Sequence, residues 1–164
     1  MYKDKKCIGI IFDPSYHIYR IDIPMNKIFE ILSKNLDAHF IYGGIKRLTD
    51  HVEEYARNLK IKDEQLHFFC IPAIENKGFM GTEQASRWLT EVLSYSPDVL
   101  YVFRDNRHAG LTTMLVRSCM DIHIQVIEYD NRGMVTRISP EDTNYSQYYT
   151  TRPGEIYYKN NKHC

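Results

Sequence analysis

One stretch decides the fold of this 164-residue chain: Asp98-VLYVFRDNRHAGLTTMLVRSCMDIHIQVIEY-Asp130. Its first apolar run, Val99–Phe103, is too short for a helix and rich in β-branched and aromatic residues, which predicts a buried strand. A polar loop follows over residues 104–110, and apolar residues then recur at helical spacing over 111–119. A second strand-like run covers residues 122–127, so the stretch predicts strand, loop, helix, strand.

The loop between this strand and helix predicts an anion site. It contains Arg104 and Arg107 and enters the helix at Gly110, which is followed by Thr112 and Thr113. The first turn of a helix has backbone N–H groups without intrahelical partners, and guanidinium groups bind phosphate by paired hydrogen bonds. We therefore expect these five residues to contact an anion, although a solvated arginine loop and a simple helix cap would leave the same pattern.

The remainder of the chain repeats the alternation of strand and helix. The run Cys7–Phe12 is nearly continuous in apolar residues, as in a central parallel strand. Further strands are predicted over residues 38–42 and 66–71, with helices beginning near Pro24, after Gly44 and near Gly81 or Thr82. This order predicts an α/β, three-layer Rossmann-like domain over residues 1–139, with five mostly parallel strands and an antiparallel edge strand over 134–138. Residues 140–164 are polar and tyrosine-rich and are predicted to form a tail.

The amino-acid composition limits the classes of partner and the location that we expect for this protein. Lys plus Arg and Asp plus Glu are equal at 21 each, so no global field favours nucleic acid or an anionic membrane. No apolar run has membrane-spanning length, and the N-terminus lacks a signal-peptide core. Cys7, Cys70 and Cys119 lie within apolar runs, which indicates buried thiols in a reducing compartment and a cytoplasmic protein. No metal-ligand spacing and no cofactor motif occurs, so we expect neither a metal nor a cofactor.

Two loops resemble a known superfamily. Both loops are similar to motifs of the SLOG superfamily. The first consists of Ile41-Tyr42-Gly43-Gly44, with Asp50 six residues after Gly44, and the second of Phe103-Arg104-Asp105 followed by Gly110-Leu111-Thr112-Thr113. These Rossmann-like domains include YspA-like, LOG-type and DprA-type proteins. The resemblance implies binding of nucleotides, nucleotide sugars or related ligands. The Gly-Gly-x-Gly-Thr-x-x-Glu signature of the LOG phosphoribohydrolases is absent, so the resemblance gives only weak support for that activity.

The ligand site is expected at the carboxyl ends of the strands, where the loops of an open α/β sheet bind ligands. Gly43 and Gly44 are predicted to let a ligand approach the backbone, or only to form a turn. Asp50 is predicted to bind a ribose hydroxyl, or only to complement a helix dipole. Ser15, in the loop after the first strand, completes the ligand-binding set.

Catalysis would need a carboxylate near the reacting carbon. The carboxylates predicted to face the cleft and to act in N-glycosidic cleavage are Asp13 and Asp105, with Glu128 in reserve. The alternative is that they only form hydrogen bonds in the loops at the strand ends.

Three functions remain open from sequence. The first is binding or sensing of a nucleotide-derived ligand with a phosphorylated ribose. The second is a nucleotide N-glycosidic hydrolase or transferase, and the third is a protein-interaction module acting through the tyrosine-rich tail. Exposed tyrosines and zero net charge also favour a homo-oligomer.

Overall fold

The computed structural model describes residues 5–70, 78–107 and 110–140, and the side chains of 78–82 lie outside that description. The elements in chain order are β1 (Cys7–Phe12), α1 (Asp22–Ser33), β2 (His39–Gly44), α2 (Lys46–Asn58), β3 (Leu66–Phe68), α3 (Gly78–Leu93), β4 (Val99–Phe103), α4 (Leu111–Asp121), β5 (Gln125–Tyr129) and β6 (Val135–Ser139), with a short 3₁₀ turn, Asp63–Gln65, before β3. The tyrosine-rich tail predicted over 140–164 lies outside the described residues except for its first residue.

The strands form one six-stranded sheet in the order β3-β2-β1-β4-β5-β6. All neighbouring strands are parallel except β5 and β6, which form an antiparallel pair. The sequence prediction of a Rossmann-like α/β fold, with an antiparallel strand at the edge, is therefore confirmed. No helix in the described part of the chain is both long enough and apolar enough to span a bilayer.

Two hydrophobic cores lie on opposite faces of the sheet. In β1 the side chains of Ile8, Ile10 and Phe12 join the core beneath α1 and α2, while Cys7 and Ile11 join the core beneath α3 and α4. Successive side chains of a strand point to opposite faces, so a strand covered on both sides must be apolar at every position. This is why the continuous apolar run of β1 predicted a central strand correctly.

Several local predictions were wrong. Helix α1 begins at Asp22 rather than Pro24, and β5 begins at Gln125, three residues later than predicted. Helix α3 begins at Gly78, ahead of the predicted cap, and β3 ends at Phe68. The ends of helices and strands are the least sharply defined parts of these elements.

The thiol prediction was correct for two cysteines and wrong for a third. Cys7 and Cys119 are buried, whereas Cys70 is exposed because β3 has already ended before it.

The strand register aligns the carboxyl ends of four strands. Gly44 of β2 pairs with Phe12 of β1, Phe12 pairs with Phe103 of β4, and Phe103 pairs with Tyr129 of β5. The ladder continues one residue further, since the Asp13 N–H donates to the Phe103 carbonyl at 2.9 Å. The loops that carry the predicted site residues therefore leave the sheet at the same end, where the parallel strands have their carboxyl ends.

Candidate functional site

The chain reverses its direction across the sheet at β1. From β1 it proceeds outward to β2 and β3, and it then returns to β4 on the other side of β1. At such a switch point the loops after the two adjacent strands diverge to opposite faces, which opens the crevice where α/β proteins bind ligands. Here those loops begin at Asp13 and Arg104, which are two of the residues that the sequence analysis assigned to the site.

The loop after β1 is anchored by Asp13. One oxygen of its buried carboxylate accepts a hydrogen bond from the Ser15 N–H at 2.9 Å, and the other accepts from the Thr112 hydroxyl at 2.5 Å. Thr112 is the second residue of α4, so this contact joins the switch-point loop to the beginning of that helix. Asp13, Ser15 and Thr112 are thus brought together as predicted, and Asp13 connects the other two.

The loop after β4 is anchored by Asp105 in a similar way. One carboxylate oxygen accepts from the His17 N–H at 2.6 Å, and the other accepts from the Asn131 N–H at 2.9 Å. The Asn106 N–H also lies 3.5 Å from the Ser15 hydroxyl oxygen. Asp105 therefore fixes the loops after β1 and β5 against its own loop, and these contacts give the two predicted catalytic carboxylates a clear role in holding the loops together.

Arginine side chains converge on Glu128 beside this crevice. The Arg104 Nε lies 2.6 Å from Glu128 Oε1, the Arg107 Nε lies 3.4 Å from the same oxygen, and the Arg137 Nε lies 3.3 Å from Oε2. We call these four residues the arginine cluster. The Glu128 side chain is completely buried, and those of Arg104, Arg107 and Arg137 are 3%, 10% and 15% exposed.

The arginine cluster fixes the charge of its carboxylate. Burial acts to raise the pKa of Glu128, but the guanidinium groups of Arg107, Arg104 and Arg137 outweigh it, and the pKa lies below its ordinary value. Glu128 is therefore ionised and surrounded by three guanidinium groups. In the structure this residue, predicted as the reserve catalytic carboxylate, is the buried counter-ion of three arginines.

Helix α4 is connected to this cluster at two points. The Arg104 Nη1 donates to the Thr113 hydroxyl at 2.8 Å, and the Arg137 Nη1 lies 3.7 Å from the sulfur of Met120. Gly110 is the N-cap of α4, and its backbone is extended at φ 168°. Arg104, Arg107, Gly110 and Thr113 thus lie around one helix start, although the two arginines share one carboxylate oxygen instead of facing each other across an open cleft.

The glycine pair at the end of β2 is required by close backbone contacts. A Cβ added to Gly43 would lie 2.0 Å from the Phe69 carbonyl oxygen, and one added to Gly44 would lie 1.9 Å from that of Phe12. Gly44 also has φ +118°, which side-chain-bearing residues rarely adopt. Strand pairing therefore explains both glycines, while Gly44 still lies at the same sheet edge as Asp13.

Asp50 lies on α2 and not in the loops after β1 and β4. It is the fifth residue of α2, is 55% exposed, and binds the Lys46 ammonium at 2.9 Å.

Sequence reasoning missed Arg137. The antiparallel register of β5 and β6 sets it directly opposite Glu128, where opposite charges stabilise a strand pair. The sequence signal was incomplete, because counting outward from the predicted turn Asp130-Asn131-Arg132-Gly133 pairs Glu128 with Val135. The register irregularity between Glu128 and Tyr129 contributes to the shift that sets Glu128 opposite Arg137.

The fold and its switch point define a Rossmann-like α/β protein. No model of a known protein family matches the chain, and no curated protein sequence is significantly similar to it. Within the described ranges, no three His, Cys, Asp or Glu side chains are grouped so that they could hold a metal ion.

Proposed function

We propose that this protein binds or senses a nucleotide-derived ligand with a phosphorylated ribose, in the crevice between the loops after β1 and β4. The observation that carries the proposal is the convergence of Asp13, Thr112 and Thr113 with a buried arginine cluster at the topological switch point. A ligand there would meet carboxylate and hydroxyl groups suited to a sugar and cationic groups suited to a phosphate. Membership of the SLOG superfamily is part of this proposal and is supported by the two loop motifs.

Binding is favoured over catalysis by the state of the two candidate carboxylates. Asp13 and Asp105 each accept hydrogen bonds at both oxygens from groups of the protein itself. A nucleophile or general base needs a lone pair directed at the substrate, and these two would have to give up loop contacts to supply one. N-glycosidic cleavage therefore remains the second candidate, and release of free base would be its direct sign.

The test is a screen for saturable binding that uses the full chain. AMP, ADP-ribose, NAD and cyclic AMP are titrated against thermal unfolding, since a ligand at 100 times its Kd adds about 2.7 kcal/mol to stability. Product analysis for free base accompanies each titration. We expect stabilisation by at least one phosphorylated nucleotide without release of base.

A blocking variant with a matched control locates the site. Asn106 is exposed beside the crevice, and Lys34 is exposed at the opposite edge of the sheet. We expect Asn106→Trp to abolish the ligand-induced stabilisation and Lys34→Trp to retain it. The proposal is refuted if none of these nucleotides stabilises the protein, or if both variants reduce binding equally.

A further inference from the structure

The arginine cluster contains one donor that its neighbours leave unused. The Arg107 Nη2 donates to the Thr136 carbonyl at 2.9 Å, and its Nε makes the long 3.4 Å contact with Glu128. Its Nη1 is buried and has no hydrogen-bond partner among the described residues. A buried donor without an acceptor is unfavourable, so this position favours a group that supplies one.

Arg104 differs from Arg107 in this respect. Its Nε contacts Glu128 at 2.6 Å, and its Nη1 donates to the Thr113 hydroxyl. Both contacts are short, and the side chain is 3% exposed. Arg104 therefore anchors Glu128 to α4, whereas the more weakly held Arg107 retains a donor for another partner.

The electrostatics of Arg107 favour an anionic partner. Burial lowers the pKa of its guanidinium, and the neighbouring charges of Arg137 and Arg104 act in the same direction while Glu128 opposes them. A cation that is removed from water and shares its carboxylate with another guanidinium gains from a second negative charge. A phosphate monoester supplies both the charge, about −1.5 to −2 at pH 7, and the acceptor oxygens.

We propose that Arg107 is the phosphate-binding residue of the site, with Nη1 donating to a terminal phosphate of the ligand. The inference rests on the proposed function and narrows it to phosphate monoesters. A nucleoside 5′-monophosphate is then preferred over a cyclic nucleotide, which carries one charge on its phosphodiester, and over the uncharged nucleoside. Inorganic phosphate has the same chemistry and competes for the same donor.

The test measures the affinities of AMP, cyclic AMP, adenosine and inorganic phosphate by calorimetry for the full chain and for Arg107→Gln. We expect Arg107→Gln to weaken AMP binding roughly tenfold or more, as for loss of a charge-assisted hydrogen bond, and to remove the preference for AMP over adenosine. Arg132 is the matched control, because it is exposed in the turn between β5 and β6 and lies outside the cluster. Arg132→Gln should change the AMP affinity less than about twofold.

A second variant keeps the test valid if Arg107→Gln does not fold. Arg107→Lys retains the positive charge that faces Glu128 but loses the planar pair of Nη donors. We expect it to fold and to bind AMP more weakly, with adenosine binding unchanged.

The outcomes separate this inference from the proposal beneath it. Folded Arg107 variants that bind AMP as tightly as the unmodified protein would overturn the role of Arg107 and leave nucleotide binding intact. Binding of inorganic phosphate that depends on Arg107, with no nucleotide bound, would support the arginine and refute the nucleotide. If the unmodified protein binds none of the four probes, both proposals fail.

Discussion

The two flanks of the sheet leave their buried or half-buried ionisable groups in opposite charge states. On the flank formed by β2 and β3, the His39 Nδ1 lies 3.2 Å from the His67 Nε2. Burial and the charge of Lys5 lower the pKa of His39, and burial and His39 lower that of His67. On the flank formed by β5 and β6, Glu128 is more deeply buried and yet remains charged, because opposite charges surround it.

The difference shows what decides the charge of a buried group. Desolvation disfavours the charged form of every such group, and only partners of opposite sign reverse this effect. The histidine pair has none that outweighs burial, so it is neutral at pH 7 and can share one hydrogen bond. Glu128 has three guanidinium groups, so it is an anion that holds β5, β6 and α4 together.

The largest expected effect comes from removing the carboxylate of the arginine cluster. Glu128→Gln leaves buried guanidinium groups without their counter-ion, which destabilises a protein by about 3–5 kcal/mol. Urea denaturation followed by circular dichroism measures this loss. The control Glu54→Gln, at an exposed position of α2, should change stability by less than about 0.5 kcal/mol. A loss below about 1 kcal/mol in Glu128→Gln would show that the cluster does not depend on its anion.

The next effect is expected on the other flank, at the end of β2. Gly44→Ala introduces a Cβ against the Phe12 carbonyl at a left-handed backbone position, and we expect a loss of about 2–3 kcal/mol. Gly110→Ala is the matched control, since Gly110 is exposed and its extended backbone at φ 168° suits any residue. Equal losses in the two variants would contradict the assignment of Gly44 to strand packing.

The histidine pair predicts a pH dependence that the arginine cluster does not share. Because the folded-state pKa values of His39 and His67 lie below the ordinary value, the unfolded chain binds protons first as the pH falls. The contribution of the pair is therefore complete above about pH 6.5 and is lost as the pH falls toward the lowered values. The pKa of Glu128 is also lowered, but its contribution is lost in a more acidic range, below the ordinary pKa of a glutamate.

Denaturation midpoints between pH 7.5 and pH 5 measure this effect. We expect His67→Gln to flatten the decline in stability over that range. His17→Gln removes an exposed histidine that lies outside the pair and serves as the control. A decline that flattens equally in both variants would remove the pair as its cause.

The smallest effect is expected at Asp50. Its ion pair with Lys46 is exposed to solvent, where such pairs contribute little, so Asp50→Asn should leave the denaturation midpoint almost unchanged. The same variant tests the ligand role predicted from sequence. Weaker AMP binding in Asp50→Asn, with stability unchanged, would extend the ligand site from the crevice to the beginning of α2.

Much of the fold could be predicted because its signals are local. The continuous apolar runs of β1 and β4 and the helical spacing over residues 111–119 each reflect burial of a single element. The extent of β3 was overestimated. Its register with β2 ends at Phe68 and is followed by one hydrogen bond from the Phe69 N–H to the Tyr42 carbonyl, although apolar residues continue. Strand length depends on the neighbouring strand, and a local pattern contains no information about that neighbour.

The sequence predicted which loops form the candidate site, but only some of the contacts between their side chains. The loops after β1 and β4 were identified, and so were Asp13, Thr112 and the two loop arginines. The pairing of both arginines with Glu128 was not foreseen, since residues 104 and 128 meet only after α4 has crossed the sheet. The close backbone contacts of Gly43 and Gly44 were not foreseen either, because the carbonyl groups that lie against them belong to other segments of the chain.

By itself the sequence determined the alternation of strands and helices, the parallel sheet and the edge at which the loops gather, because periodic burial and short connections leave few other arrangements. Tertiary structure alone decided which groups are charged inside the protein. The same carboxylate would be protonated in an apolar core and is ionised among arginines. Its charge depends on distances of 2.6–3.4 Å to arginines that come from other parts of the fold.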